Sequence, residues 1–286
     1  MKKKILVGLT LILAITLISL RFIKKESPKN NVNIPKKTYV ALGDSVSAGV
    51  GLNNSSDSSA CDRTDESYPY LTANSMNLNL VNLSCSGATI KSGVDGGQNI
   101  NNLLLDSQID QLFKMTRPDF ISLTIGANDI NWSDYLTKCY TGRCGSFEDT
   151  ASIDASLVIL KNNLGNVLTK IQTKYANNTP NSVVTSYYRV FPADTTFACA
   201  DMIGIEDSES NWIKLQQTKL DSTIKDVTSS YNFAKYVSTT FSGHELCTGK
   251  SWVQGINDKS PYHPSAEGQK EISKNIVSSF KLLIKY

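Results

Sequence analysis

Apolar positions follow two different periods along the chain beyond residue 37. Five short segments are rich in β-branched and aromatic residues and bounded by Gly, Pro, Asn or Ser, which is typical of strands. They are residues 38–42, 78–84, 118–126, 182–188 and 234–241. Between these segments, apolar residues recur at spacings of three and four residues, which predicts helices. These cover residues 67–77, 103–115, 152–175 and 210–231, and a last helix runs from about Pro264 to the C-terminus. A helix after each strand predicts an α/β fold, with a five-stranded parallel sheet between two helical layers.

The first 37 residues differ in kind from the rest. The sequence MKKK precedes an uncharged apolar run from Ile5 to Leu20, and a stretch rich in Asn, Pro and Lys follows. This pattern predicts a membrane anchor or signal segment plus a linker over residues 1–37, ahead of one domain over residues 38–286. The run lacks an A-x-A-like cleavage site and nearly reaches the roughly 20 residues of a membrane span, which favours an uncleaved anchor. We expect an extracellular or cell-surface domain.

Charge is divided along the same line. Residues 1–37 hold nine of the 29 basic residues and one of the 26 acidic residues, which leaves 20 basic and 25 acidic residues beyond. The predicted domain is therefore mildly acidic, although the whole chain carries a net charge of +3. An acidic domain gives no electrostatic basis for binding nucleic acid.

Cysteine usage agrees with export. An even number of cysteines in a chain with an export segment predicts three disulfides. The six are Cys61, Cys85, Cys139, Cys144, Cys199 and Cys247. Many connectivities are possible, and spacing indicates only that Cys139 and Cys144 close a small loop. A zinc site is the alternative, but the chain has no C-x-x-C pair and only two histidines.

Candidate chemistry follows from the predicted sheet, because ligands bind outside the carboxyl ends of parallel strands. Residues that directly follow the strands are therefore the candidates. They include Ser45 after the first strand, Gly87 after the second, Asn128 after the third, and His244 and His263 after the fifth.

The glycines around Ser45 do not match two familiar motifs. A dinucleotide-binding loop needs G-x-G-x-x-G, and the third glycine is missing after Gly49-Val50-Gly51. A nucleophile elbow needs G-x-S-x-G, and Ser47 stands where its second glycine belongs. Ser45 can still act as a nucleophile if a histidine base reaches it.

His263 is the candidate base. Pro264 favours the first position of a helix, which predicts that His263 is the N-cap of the last helix. His244 stands three residues before Cys247, and we expect it to be structural or to line the pocket. The Gly87 N–H and the Asn128 side-chain amide are donors that could form an oxyanion hole together with the Ser45 N–H.

These four residues carry a family resemblance. Ser45 lies in GDS, Gly87 in CSGAT, Asn128 in GAND and His263 in HPSAEGQ, and the blocks occur in the order found in the SGNH or GDSL hydrolases. The sequence resembles that family over residues 38–286, and within it the secreted, disulfide-containing esterases and lipases of the Streptomyces scabies esterase type.

The resemblance implies a flavodoxin-like three-layer sandwich and hydrolysis of carboxylic esters with no cofactor or metal. It also implies disulfides between sequence neighbours: Cys61–Cys85, Cys139–Cys144 and Cys199–Cys247. Ser45 would be the nucleophile and His263 the base. We expect a monomer that acts on small-molecule or lipid esters.

One position departs from the family pattern. Many members have an Asp three residues before the histidine, and Ser260 stands there. A main-chain carbonyl can orient the imidazole instead, so we expect the Ser260 carbonyl in that role, with Asp258 as the alternative.

Three alternatives to a lipase or simple esterase remain at this point. One is an esterase for acetylated glycans that uses the same residues. Another is a surface- or carbohydrate-binding protein without turnover. The third, a nucleotide-binding flavodoxin-like protein, lacks the glycine fingerprint.

Overall fold

A computed structural model describes residues 35–53, 60–192 and 199–284 of the chain. The predicted anchor or signal run, Ile5 to Leu20, lies outside these residues. Within the described ranges, no helix is both long and apolar enough to cross a membrane.

Five parallel strands form the central sheet, as predicted. The seven strands of the described chain are β1 (Thr38–Gly43), β2 (Asn79–Asn82), β3 (Gln98–Ile100), β4 (Leu103–Leu105), β5 (Phe120–Thr124), β6 (Asn181–Thr185) and β7 (Ala234–Val237). The sheet has the order β2-β1-β5-β6-β7, while β3 and β4 form a separate antiparallel hairpin.

Helices cover both faces of the sheet. They are α1 (Ser45–Ala48), α2 (Tyr68–Met76), α3 (Gln108–Lys114), α4 (Trp132–Thr141), α5 (Phe147–Lys174), α6 (Asp207–Thr228) and α7 (Ala266–Leu283). Helix α2 packs with α7, and α5 packs with α6. Phe280 of α7 lies against the sheet, with its ring centroid 5.6 Å from that of Tyr39 and 4.7 Å from that of Phe120. The predicted three-layer α/β sandwich is therefore confirmed.

Strand β1 lies inside the sheet and brings two loops together. It pairs with β2 on one side and β5 on the other, and its residues from Tyr39 to Gly43 are buried. Burial on both faces explains why this strand is continuously apolar. The loops after β1 and β5 lie side by side at the carboxyl ends of the strands, which is where ligands bind in such folds.

The predicted helix over residues 103–115 was wrong in its first part. Leu103–Leu105 forms strand β4, because Asn101 and Asn102 adopt left-handed φ angles of 51° and 66° and turn the chain back onto β3. Helix α3 begins only after Ser107, whose side chain accepts a 3.0 Å hydrogen bond from the Asp110 N–H. Helix α4 was not predicted.

Candidate active site

Ser45 is held at the carboxyl end of β1 by an abrupt turn. Gly43 has a φ of +135°, and a Cβ there would lie 2.2 Å from the Thr124 carbonyl oxygen of β5, so no larger residue fits. Asp44 caps the short helix α1 and accepts a 3.0 Å hydrogen bond from the Val46 N–H. Ser45 is therefore the first residue of a helix, where its N–H has no intrahelical partner.

Ser45 and His263 are in direct contact across 218 residues of sequence. The His263 Nε2 lies 2.8 Å from the Ser45 Oγ, and Nδ1 lies 3.1 Å from the Pro261 carbonyl oxygen. A carbonyl only accepts, so Nδ1 carries the proton and Nε2 is left to accept one from Ser45. Burial lowers the pKa of His263, which keeps the imidazole neutral. This is the geometry of a serine activated by an adjacent base.

Asn128 lies in the same cleft. Ser45, Asn128 and His263 are among the residues that line a cleft of about 40 Å³. One N–H of the Asn128 amide donates to the Ala88 carbonyl oxygen at 2.9 Å, so its second N–H is left for a ligand. Gly87, the neighbour of Ala88, is not among the residues that line the cleft. The loops of Gly87 and Asn128 are thus joined by a hydrogen bond.

A comparison with known families agrees with this arrangement. The profile of the GDSL-like Lipase/Acylhydrolase family matches residues 41–271. The chain belongs to this family. A lipase of Streptomyces rimosus is 30% identical over 238 residues, which cover 81% of this chain and 82% of that protein. The chain is therefore a hydrolase of carboxylic esters.

Two solved structures resemble this GDSL-like hydrolase over most of their length. One is an extracellular lipase from Streptomyces rimosus, with a TM-score of 0.63, 26% identity, and coverage of 86% of this chain and 99% of that one. The other is a phospholipase A1 from Streptomyces albidoflavus NA297, with a TM-score of 0.61, 27% identity, and coverage of 87% and 99%. The similarity extends beyond the catalytic cleft to the fold as a whole.

Two main-chain carbonyls act on the His263 ring in this hydrolase, that of Pro261 and the expected one of Ser260. Pro261 supplies the contact to Nδ1, while the Ser260 carbonyl accepts the backbone N–H of His263 at 3.3 Å. Tyr262 has a left-handed φ of 66°, so the chain bends tightly just before His263. Both carbonyls raise the pKa of the imidazole and partly oppose the effect of burial.

Two other predictions concern the surroundings of His263. Asp258, the alternative to Ser260, accepts a 2.7 Å hydrogen bond from the Gly255 N–H, so its carboxylate closes a turn. The N-cap of α7 is Ser265, whose Oγ accepts from the Gly268 N–H. The prediction of His263 as the N-cap was wrong, and the histidine instead lies in the loop before the helix, free to face Ser45.

Two carboxylates, one buried and one half-buried, stabilise the loops of the site. Asp44 is 1% exposed, and burial raises its pKa to about 7 although Val46 and Tyr187 donate hydrogen bonds to it. Asp129 accepts from the Ile90 N–H with both oxygens, at 3.0 and 3.2 Å, and burial raises its pKa to about 6. Asp44 thus joins the backbone of its own loop to the Tyr187 side chain, and Asp129 joins its loop to the backbone of the loop after β2.

Tyr187 is a site residue that the sequence analysis missed. Its hydroxyl donates to the Asp44 carboxylate and accepts a 3.1 Å hydrogen bond from the Ala127 N–H. Burial raises the pKa of Tyr187 well above the ordinary value, so the hydroxyl remains a donor. Tyr187 therefore links the loop of Ser45 to the loop of Asn128. It follows β6, so the argument from strand ends, applied to the fourth strand, would have identified it.

The structure contains the three disulfides that the family resemblance implied: Cys61–Cys85, Cys139–Cys144 and Cys199–Cys247. The first lies beside the Gly87 loop, since the Cys61 carbonyl also accepts a 3.1 Å hydrogen bond from the Ser86 N–H.

His244 stabilises the neighbouring loop. It stacks on Trp252 with 3.7 Å between ring centroids, and its Nδ1 contacts the Lys250 carbonyl at 2.8 Å. Among the described residues, no group of three or more His, Cys, Asp or Glu side chains is arranged to hold a metal ion.

Proposed function

We propose that this hydrolase cleaves lipid carboxylic esters with Ser45 as the nucleophile and His263 as the general base. The 2.8 Å contact between Ser45 Oγ and His263 Nε2 carries the proposal, because the base is within hydrogen-bond distance of the hydroxyl that it must deprotonate. The half-buried imidazole, whose pKa burial lowers, supports the same roles.

The reaction proceeds in two halves. Ser45 Oγ attacks the ester carbonyl carbon while its proton moves to His263 Nε2, and the carbonyl oxygen becomes an oxyanion. The N–H groups of Ser45 and Gly87 and the free amide N–H of Asn128 stabilise that charge. His263 then protonates the leaving alcohol, and the C–O bond to it breaks. Water, deprotonated by His263, attacks the acyl-enzyme and releases the acid, with the proton returning to Ser45.

Covalent labelling tests this assignment. Wild-type protein should take up one fluorophosphonate on the peptide that contains Ser45, and Ser45→Ala should lose both labelling and hydrolysis of p-nitrophenyl butyrate. Ser133→Ala is the matched control, since Ser133 lines the same cleft but has no contact with His263 in the described structure. Wild-type turnover by Ser45→Ala, or label on another residue, would contradict the proposal.

A groove beside the site supports long-chain esters as substrates. The cleft at Ser45 has about 40 Å³, which is room for the reacting carbonyl but not for an acyl chain. A neighbouring groove of about 630 Å³ falls in the usual size range of ligand sites. The large apolar side chains that line it are Leu83, Leu103, Leu104, Leu105 and Met115. Cys85 also lines it, two residues before Gly87, so the groove adjoins the loop that carries the oxyanion donor.

Two exposed leucines at the groove allow its role in binding the acyl chain to be tested. Leu103 and Leu104 of the β3–β4 hairpin are 54% and 73% exposed, and we assign them to contact with the acyl chain. Leu104→Asp should reduce kcat/KM for p-nitrophenyl palmitate and leave the acetate ester unaffected. Val158→Asp is the control, because Val158 is 62% exposed on α5 and does not line the groove. Equal effects of Leu104→Asp on both esters, or a wild-type preference for acetyl esters and acetylated sugars, would contradict the assignment.

The N-terminal segment and the disulfides support action outside the cytoplasm. Three disulfides persist in oxidising compartments, and the Streptomyces rimosus structure is that of an extracellular lipase. We assign residues 1–37 to export and membrane anchoring. Fractionation of cells that express the full chain tests this: activity should sediment with membranes and be accessible to added protease. Activity confined to the cytosolic fraction would overturn the assignment.

A further inference from the structure

The Gly87 loop is a tight turn with two possible orientations of its central peptide. The Ala88 N–H donates to the Cys85 carbonyl at 3.1 Å, and Gly87 has a φ of +72°. A positive φ at the third position is the signature of a type II turn. Rotation of the Ser86–Gly87 peptide would convert it to a type I turn and reverse the direction of the Gly87 N–H.

Gly87 itself does not favour one orientation. A Cβ built on it would meet nothing closer than the Gln98 Nε2 at 3.8 Å. Glycine has little intrinsic preference between positive and negative φ. A group that binds the central peptide can therefore set the direction of the N–H.

Gln98 is the group that binds the central peptide. Its Nε2 donates a 2.7 Å hydrogen bond to the Ser86 carbonyl, and the residue is only 7% exposed. In a trans peptide the Ser86 carbonyl and the Gly87 N–H point in opposite directions. Because Gln98 holds the carbonyl, the Gly87 N–H points away from Gln98.

The surroundings of Gln98 suit a donor at this position. Gly93 packs against the amide, since a Cβ there would lie 3.0 Å from the Gln98 Oε1. Within the described part of the chain, that oxygen is buried without a hydrogen-bond partner. The amide is therefore oriented by its nitrogen end alone, through the bond to Ser86.

We propose that Gln98 is a positioning residue that keeps the Gly87 N–H directed into the oxyanion hole by holding the Ser86 carbonyl. The inference rests on the proposed role of Gly87 as an oxyanion donor. Gln98 touches no reacting atom and acts only through the turn from Cys85 to Ala88. As the first residue of β3, it also connects the leucine-bearing hairpin to the catalytic centre.

Two substitutions separate this role from simple packing. Gln98→Leu removes the donor, and we expect kcat to fall about 10- to 100-fold, up to the loss seen when one oxyanion donor is removed, with KM within about twofold. Gln98→Glu keeps the shape but places a carboxylate oxygen against the Ser86 carbonyl. A protonated carboxyl can donate again, so its kcat relative to wild type should rise as the pH falls. A packing defect would not produce this pH-dependent recovery.

Gln172 offers control substitutions of the same chemistry. It is exposed on α5 and lines neither the groove nor the cleft at Ser45. Gln172→Leu and Gln172→Glu should have the kcat of the wild type at every pH. Thermal unfolding of all variants establishes that they are folded, and Gln98→Glu carries the test alone if Gln98→Leu does not fold.

The outcomes distinguish this inference from the proposed function. If Ser45→Ala is inactive while folded Gln98 variants turn over p-nitrophenyl butyrate at the wild-type kcat, the role of Gln98 is refuted and the catalytic assignment stands. A loss confined to KM, or a kcat ratio of Gln98→Glu to wild type that is independent of pH, also refutes it. An active Ser45→Ala would refute the proposed function itself.

Discussion

Replacing Tyr187 with Phe would remove a single hydroxyl that joins the two halves of the active site. That hydroxyl donates to Asp44, which caps the helix of Ser45, and accepts from Ala127, the residue before Asn128. Phe keeps the ring and its packing. The variant therefore tests whether the relative position of Ser45 and Asn128 depends on this bridge.

The structure allows the size of both effects to be worked out. A hydrogen bond to a carboxylate contributes about 1.5–3 kcal/mol to stability, and the Ala127 N–H that loses its acceptor is only partly buried. We therefore expect the free energy of unfolding to fall by about 2–3 kcal/mol. Displacement of catalytic groups by about 1 Å costs on the order of 100-fold in rate, so kcat should fall about 10- to 100-fold. The pKa of Asp44 should rise further, because the Tyr187 hydrogen bond lowers it.

Urea unfolding and steady-state hydrolysis of p-nitrophenyl butyrate measure the two effects. Tyr231→Phe is the matched control: its hydroxyl also makes two hydrogen bonds, to the Gly165 carbonyl at 2.7 Å and to Thr169 at 2.8 Å. Tyr231 precedes β7 and so lies at the amino ends of the parallel strands, whereas the site lies at their carboxyl ends. The control should lose stability and keep the wild-type kcat. A Tyr187→Phe variant with wild-type kcat would refute the bridging argument, whatever its stability.

Four further predictions follow from the same geometry. Activity should fall as the pH drops through the pKa of His263, which burial lowers; a midpoint of kcat/KM above the ordinary value of about 6.5 would contradict this. Asn128→Ala should lower kcat by about 100-fold or more in stopped assays, with the thermal midpoint retained. Replacing both Cys61 and Cys85 by Ala, which opens a loop with a sequence separation of 24, should cost about 3 kcal/mol in urea unfolding. Because the pKa of Asp44 is raised from 3.8 to about 7, the folded protein retains a proton that the unfolded chain releases. The stability due to that proton is lost as the pH rises between these values. Asp44→Asn should therefore make the thermal midpoint less dependent on pH in this range.

Much of the fold could be predicted from local patterns in the sequence. Strand β1 is a short apolar run ending at Gly43, and α5 and α6 show helical periodicity, so both kinds of element were predicted. The parallel sheet followed from their alternation, because parallel strands need crossover connections. The rule that ligands bind at strand ends then placed Ser45 and Asn128 at one edge.

Local patterns failed where a short segment suits either structure. Leu103–Leu105 has the apolar character of a helix face, yet it forms a strand because the turn at Asn101 and Asn102 pairs it with β3. Helix α4 was missed, although Trp132, Leu136 and Cys139 form its buried face. In both segments the few residues involved carry too weak a periodic signal to decide the structure.

The sequence by itself determined the fold class, the family and the candidate residues for the chemistry, since these depend on periodicity and on motifs in a set order. Only the tertiary structure decided how the residues meet. It brought His263 to 2.8 Å from Ser45, placed the Pro261 carbonyl beside the ring in addition to that of Ser260, and set Tyr187 between two loops. The physical reason is that hydrogen-bond partners distant in sequence are chosen by packing across the sheet, on which local propensity has no bearing.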